Sequence, residues 1–255
     1  MKGLILSAGM GTRLVPLTHD CPKCLVRVAG KPMMEYQLDS LIRAGIDSCI
    51  IVVGYMAESV CGYFGAKYKS VSLSYVVNSL YAETNNLYSF WLAKTQLDDD
   101  VILLEGDLVF DDELVHQMVR MDDQNVALVD QYRPPMDGTV ILANDGIAQS
   151  MVLKADQGPG FDFGPALKTI NIYRLSREAL AETILPEMEE FLAKGQATQY
   201  YEAVFAMLIE TGRMSMTVMN PGTNRWAEID TMEDLSVAEK IFARPPLRLA
   251  SRGRM

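Results

Sequence analysis

The sequence predicts an α/β fold built on a doubly wound, mostly parallel sheet. Three observations carry that expectation. Short apolar runs recur through the first half, Leu4-Ile5-Leu6, Cys49-Ile50-Ile51-Val52-Val53 and Val101-Ile102-Leu103-Leu104, each patterned like a strand buried on both faces. Between them, apolar residues return at helical spacing, so strand and helix alternate as in βαβ units. Residues 126–173 then change character to short strands and glycine turns, which predicts a small mixed-sheet β extension inserted after the first half.

Taken in order, the first strand runs into a small-residue loop, Ser7-Ala8-Gly9-Met10-Gly11-Thr12, followed by two spaced cations, Arg13 and Lys23. Met34, Leu38, Leu41 and Ile42 predict a helix over 33–46 that closes at Gly45. A strand over 48–54, a weaker helix over 57–68 and a strand over 71–77 follow. The polar segment Asn78 to Asn86 comes just after a strand, where open α/β sheets bind ligands. A helix over 87–97 carries Tyr88, Phe90 and Trp91, with most of those rings expected in the core, and Asp98-Asp99-Asp100 reads as a charged turn. Residues 101–110 read as the clearest strand, and Asp107, after Gly106 near its tip, is too costly to bury unpaired. Asp111, Asp112 and Glu113 open the next helix, where acids suit the dipole.

Further on, Asn144-Asp145-Gly146 reads as a hairpin tip. Residues 134–138 and 158–161 read as loops, the latter a candidate lid. Helices are expected over 176–194 and 199–212, and a strand over 214–219. Thr231 and Asp234 have the spacing of a capping box that starts a last helix reaching Phe242. The basic, proline-bearing tail 244–255 is expected to be flexible.

The length of 255 residues suits a single domain, here 1–243. A net charge of −10 argues against a nucleic-acid partner, whose phosphates are held by clustered Lys and Arg. No apolar run approaches the ~20 residues of a membrane span, and the start lacks a signal-peptide core, so the cytoplasm is the default expectation. Cys21 and Cys24 form a lone Cys-x-x-Cys, with Cys49 and Cys61 elsewhere and two histidines in the chain. Without a second such pair, packing around the lysine-bearing turn is the better reading than zinc or redox chemistry.

The glycine loop carries the first chemical signal. Glycines 9 and 11 let the backbone approach a ligand and turn successive N–H groups toward one anion, and Arg13 and Lys23 lie just beyond. Leu14 stands where a dinucleotide fingerprint needs its third glycine, and Gly11-Thr12-Arg13 replaces the Walker ending Gly-Lys-Ser/Thr. A triphosphate grip of another kind and a plain tight strand-to-helix turn with two solvated cations both remain.

The string G-x-G-T-R-L-x-P-L-T, from Gly9, followed by C-P-K-x-L-V-x-V-x-G-K-P, from Cys21, closely resembles the signature of the nucleotidyltransferases that activate sugar phosphates, phosphocholine and related phosphate esters. The resemblance implies a Rossmann-like mixed sheet of the nucleotide-diphospho-sugar transferase type, with a nucleotide half (1–125) and an acceptor half (126–243). It implies transfer of a nucleotidyl group with release of pyrophosphate. Ala8, Gly9 and Gly11 would cradle the nucleotide, joined by Leu6, Thr12 and Gly106. Arg13 would clamp the terminal phosphates, and Lys23 would stabilise charge at the α-phosphate. Asp107 and Asp230 would hold Mg²⁺. Asn78 would read the base edge, with Thr84 and Asn85 closing over it.

The string Asn85-Asn86-Leu87-Tyr88-Ser89, the stretch Lys168 to Tyr173 and the run Tyr200-Tyr201-Glu202 resemble the branch that pairs CTP with small amino-phosphate compounds. That branch implies a phosphate or phosphonate acceptor met by Lys168, its ammonium held by Glu83, Asp137 or Glu202 or laid over Tyr201. The Glu-Lys-Pro string of the sugar enzymes is absent around Leu153-Lys154-Ala155. A sugar-1-phosphate enzyme using UTP or dTTP and a catalytically silent nucleotide sensor are the competing readings, and a homodimer is left open.

Overall fold

The computed structural model describes residues 1–243, and the tail 244–255 lies outside the described residues. In chain order the strands and helices are β1 (Lys2–Ser7), β2 (Arg27–Val28), β3 (Lys31–Pro32), α1 (Met33–Arg43), β4 (Ser48–Val53), α2 (Ala57–Phe64), β5 (Lys67–Tyr68) and β6 (Val71–Val77). Then come α3 (Asn86–Leu92), β7 (Val101–Glu105), β8 (Leu108–Phe110), α4 (Glu113–Val119), β9 (Val126–Gln131), β10 (Val140–Asn144), β11 (Ile147–Val152) and β12 (Leu167–Leu175). The last part holds α5 (Arg177–Ala179), α6 (Leu185–Ala193), α7 (Tyr201–Glu210), β13 (Thr217–Met219), β14 (Trp226–Glu228) and α8 (Met232–Phe242).

Ten strands form one sheet in the order β10-β11-β13-β9-β12-β7-β1-β4-β6-β5. The first half is parallel at its centre, where β7, β1, β4 and β6 lie side by side in register. Of these, β7, β1 and β4 read as near-continuous apolar runs because both of their faces are covered, while β6 alternates with serines and is partly exposed. In the second half β12 joins β7 and β9 antiparallel, and the β10–β11 hairpin turns at Asp145 and Gly146, both with positive φ. The segment expected as an extension thus continues the same mixed sheet. Two apolar clusters flank it, one centred on Phe90, Tyr173, Tyr201 and Phe205, the other on Met34, Leu38, Leu41 and Phe110.

Several elements differ from expectation for local reasons. The helix expected over 57–68 stops at Phe64, because Gly65 leaves helical space (φ 62°, ψ −153°) and Lys67–Tyr68 pairs with β6. The helix expected over 87–97 ends at Leu92 in a 3₁₀ turn. Of its three rings only Phe90 is fully buried, while Tyr88 and Trp91 stack on each other half-exposed. Residues 101–110 are two strands, not one. The chain turns at Gly106-Asp107, and β8 leaves the main sheet to pair with β14. The helix over 176–194 includes a π segment at Leu180–Ile184, and the strand expected from Met214 starts at Thr217. The Thr231–Asp234 capping box forms, with both reciprocal bonds present.

Candidate active site

A cleft of about 1690 Å³ opens at the carboxyl ends of β1, β6 and β7 and is closed on the far side by β12, β14 and the start of α8. On the side of the glycine loop its floor is Leu6 to Gly9 with Gly11, Thr12 and Arg13. Gly11 sits at φ 62°, and a Cβ there would lie 3.0 Å from the Lys23 Cβ and 3.1 Å from the Thr18 methyl. Thr18 Oγ1 also donates to the Gly11 carbonyl (2.8 Å), so the loop is packed directly on the turn that carries Lys23. Gly9 behaves differently. It is exposed and a side chain there would meet no protein atom, so its smallness keeps the cleft open.

Lys23 Nζ lies 2.7 Å from Asp107 Oδ2 and 2.7 Å from Asp230 Oδ1, and Arg13 Nη2 lies 2.8 Å from Asp230. Four groups separated by up to 217 positions in the chain therefore meet at one point. Each is placed by its own element. The Lys23 turn is a single 3₁₀ turn whose Cys24 is buried beneath it, with burial pushing that thiol up to about 12. The Asp107 turn is tied to β1 by Gly106 N–H donating to Leu6 O (2.8 Å), and to the link between β14 and α8 that bears Asp230 by Ile229 N–H donating to Asp107 O (3.0 Å). Gly106 allows this, because a Cβ there would lie 2.7 Å from Ser7 Oγ. Asp230 directly precedes the Thr231 cap of α8.

Burial alone would drive the Lys23 pKa down, but the carboxylates of Asp107 and Asp230 outweigh it and hold it well above the ordinary lysine value. The second oxygen of Asp107, Oδ1, is buried with no hydrogen-bond partner. Among the described residues no cluster of three His, Cys, Asp or Glu side chains is set to hold a metal alone. Two hard carboxylates at one point, one with a buried unpartnered oxygen, are a donor set that fits Mg²⁺, which takes one or two protein carboxylates and completes its shell from phosphate and water.

Asn78 is 1% exposed, and both its N–H donors are spent on Thr84 Oγ1 (3.1 Å) and Ser89 Oγ (3.0 Å), while its Oδ1 accepts from Leu80 N–H (2.9 Å). The amide expected to read a base thus shapes the 78–86 loop. Thr84 and Asn85 line the cleft, with Asn85 capping α3 and its N–H donating to Ala197 O (2.9 Å) across to the β12 side of the cleft.

On that side Lys168, 2% exposed, donates to Thr169 O (2.6 Å) and meets Glu228 at 3.2 Å. Asp137 lines the cleft and is ion-paired with Lys154. Glu202 lines it too, nearly buried, with Oε2 unpartnered; burial pushes its pKa up to about 7, although Asn86 and Lys168 pull the other way. Two expectations fail here. Glu83 is exposed and stands outside the cleft lining, because the turn at 80–84 directs it to solvent. Tyr201 is fully buried against Phe90, Tyr173 and Phe205, and its hydroxyl donates to Glu105 (2.9 Å), so its face is not offered to a ligand; Tyr200, 51% exposed, is the ring that lines the cleft.

Glu105, Glu228, Asn86 and Asn171 also line the cleft, and the sequence reading gave none of them a role of its own. Asn86 Nδ2 donates to Glu105 (3.0 Å), and its Oδ1 accepts from Tyr201 N–H (2.9 Å), a cap for α7 supplied from another helix. Asn171 adopts φ 59°, an orientation Asn tolerates better than most residues, and accepts from Thr169 Oγ1 (3.0 Å). Glu105 lies in a strand that reads as core, where only its polarity signalled it, and Asn171 falls within the Lys168 to Tyr173 stretch with no role of its own assigned there.

The profile of the nucleotidyl transferase family matches residues 2–240. The chain is 32% identical over 96% of its length to the CMP-5'-(3-aminopropyl)phosphonate synthase of Streptomyces rubellomurinus, of which it spans 39%. It is 28% identical over 93% of its length to the CTP:phosphoglutamine cytidylyltransferase of Campylobacter jejuni, of which it spans 98%. Among solved structures, the CTP:phosphocholine cytidylyltransferase of Streptococcus pneumoniae superposes with a TM-score of 0.74 at 26% identity, covering 94% of this chain and 98% of that one. The inositol-1-phosphate CTP transferase of T. maritima shares the fold (TM-score 0.74, 23% identity, 95% of each chain). With that profile running from the first strand through most of the last helix, and with the glycine loop, the lysine turn and both aspartates at one cleft, the chain belongs to the nucleotidyl transferase family.

Proposed function

We propose that the chain is a Mg²⁺-dependent cytidylyltransferase that moves CMP from CTP to a small phosphorylated or phosphonylated amine and releases pyrophosphate. The observation that carries this reading is the meeting of Lys23, Arg13, Asp107 and Asp230 beside the glycine loop. An acceptor oxygen forms the new bond to the α-phosphorus as the bond to the bridging oxygen of pyrophosphate breaks. No side-chain nucleophile is needed; the protein orients two anions and screens their repulsion. The loop N–H groups and Arg13 grip the triphosphate. Lys23, already at the mouth of the site, holds charge growing on the α-phosphoryl oxygens. Mg²⁺ held by Asp107 and Asp230 would neutralise charge on the transferring group.

The choice of CTP and an amine acceptor is supported by the relatives named above and by the carboxylate-rich acceptor side. Glu202 and Glu228 face one close cation, Lys168, so an acceptor ammonium would improve the balance of charge. CTP is a cytosolic metabolite, and the cytosol is the proposed compartment. The test is pyrophosphate release with Mg²⁺, each of CTP, UTP and dTTP, and a panel of 2-aminoethylphosphonate, 3-aminopropylphosphonate, phosphocholine and glucose 1-phosphate. Turnover with CTP and an amine-bearing acceptor is expected. Turnover only with glucose 1-phosphate would replace this reading with the sugar-nucleotide one, and none with any pair would favour a nucleotide sensor.

A further inference from the structure

Gln37 stands in the middle of the buried face of α1, among Met33, Met34, Leu38 and Leu41, with no exposed surface. An apolar side chain would suit that position, since a buried amide must replace the hydrogen bonds it gave to water. The amide does so only on its donor side. Nε2 donates to Glu105 O (2.9 Å) and to Leu108 O (2.9 Å), the two carbonyls that bracket the Gly106-Asp107 turn. Oε1 is buried with no partner. An unpaired buried acceptor is destabilising, so stability alone does not explain a glutamine here.

The same helix also supports the lysine. Met33 N–H donates to Val26 O (3.1 Å), at the end of the Lys23 turn, and Cys24 of that turn packs in one apolar cluster with Met34, Leu38 and Leu41. One rigid helix therefore backs both the lysine turn and the aspartate turn.

We propose that Gln37 is a positioning residue whose two N–H donors fix the turn between β7 and β8, so that the Asp107 carboxylate meets Lys23 and Asp230 at one point. The assignment rests on the reading that Asp107 serves a metal–triphosphate site. Groups behind a metal ligand typically change metal affinity by about ten- to a hundredfold when lost.

The experiment is a Mn²⁺ titration followed by electron paramagnetic resonance, with CTP present, on wild type, Gln37→Glu, Gln37→Met and Asp107→Asn, alongside thermal melts of each. Gln37→Glu keeps the shape but loses a donor, so packing is retained while one carbonyl faces an oxygen. Mn²⁺ affinity at least about tenfold weaker in folded Gln37→Glu and Gln37→Met is the expected result. Wild-type Mn²⁺ affinity in folded Gln37→Glu overturns the proposal, whatever happens to its melting temperature. If that variant does not fold, Gln37→Met decides by the same criterion. Asp107→Asn separates the two layers. If it abolishes Mn²⁺ binding while the Gln37 variants bind normally, the positioning role fails alone; if it leaves binding intact, the metal reading itself fails.

Discussion

Lys23 shows how a residue's resting partners bear on its task. In the structure its charge is shared between two carboxylates at 2.7 Å, and in the proposed reaction it must turn to a phosphoryl oxygen. Its charge is then wanted chiefly in the transition state. Lys23→Ala is expected to lower kcat by roughly a hundredfold or more while changing CTP affinity much less, read by steady-state kinetics beside equilibrium CTP binding. Equal losses in both would place Lys23 in ground-state binding instead. Glu202 makes a prediction through pH. Burial raises its pKa from the ordinary 4.5 to about 7, so the folded chain holds a proton that the unfolded chain releases. Stability from this group is complete below the unfolded value and is lost as pH rises through about 7. Glu202→Gln removes that loss, so the fall in melting temperature between about pH 5 and about pH 8 should shrink. An unchanged slope would mean that another group titrates there.

At the scale of elements, the site depends on a turn and a cap. Gly106 lets β7 stop and β8 leave for β14, and a Cβ there would clash with Ser7 Oγ at 2.7 Å and Leu6 O at 3.0 Å. Gly106→Ala is expected to cost about 1–3 kcal/mol in denaturant unfolding, from overpacking, and to lower activity by moving Asp107. Thr231 caps α8 immediately after Asp230. Thr231→Ala should cost about 1 kcal/mol and weaken Mg²⁺ dependence of turnover more than CTP affinity. The cap was legible from the spacing of Thr231 and Asp234, as was the parallel half of the sheet from its apolar runs. The break at Gly106 was not. Leu108, Val109 and Phe110 are apolar like the strand before them, and only their pairing with Trp226, Ala227 and Glu228, over a hundred residues later, makes them a second strand. Gln37 was hidden similarly, because the carbonyls it serves belong to elements seventy residues away.

At the scale of the molecule, one ten-stranded sheet spans both halves of the chain and opens a large cleft between them. Its glycine-loop side was largely readable, since Arg13 and Lys23 stand in one contiguous string and the two aspartates end short strand motifs. Its acceptor side was less so. Tyr200 and Tyr201 are adjacent, and sequence gives no means of telling that the second points into the core beside Phe205 while the first meets the cleft. In the proposed enzyme, residues 13, 23, 107 and 230 converge on one metal-bound triphosphate, and a crystal structure with CTP and Mn²⁺, read at the manganese anomalous edge, tests this most directly. A Mn²⁺ peak bound by Asp107 and Asp230, with the triphosphate along Gly9 to Arg13, is the predicted result. A peak away from both carboxylates, or a triphosphate bound elsewhere, would contradict it.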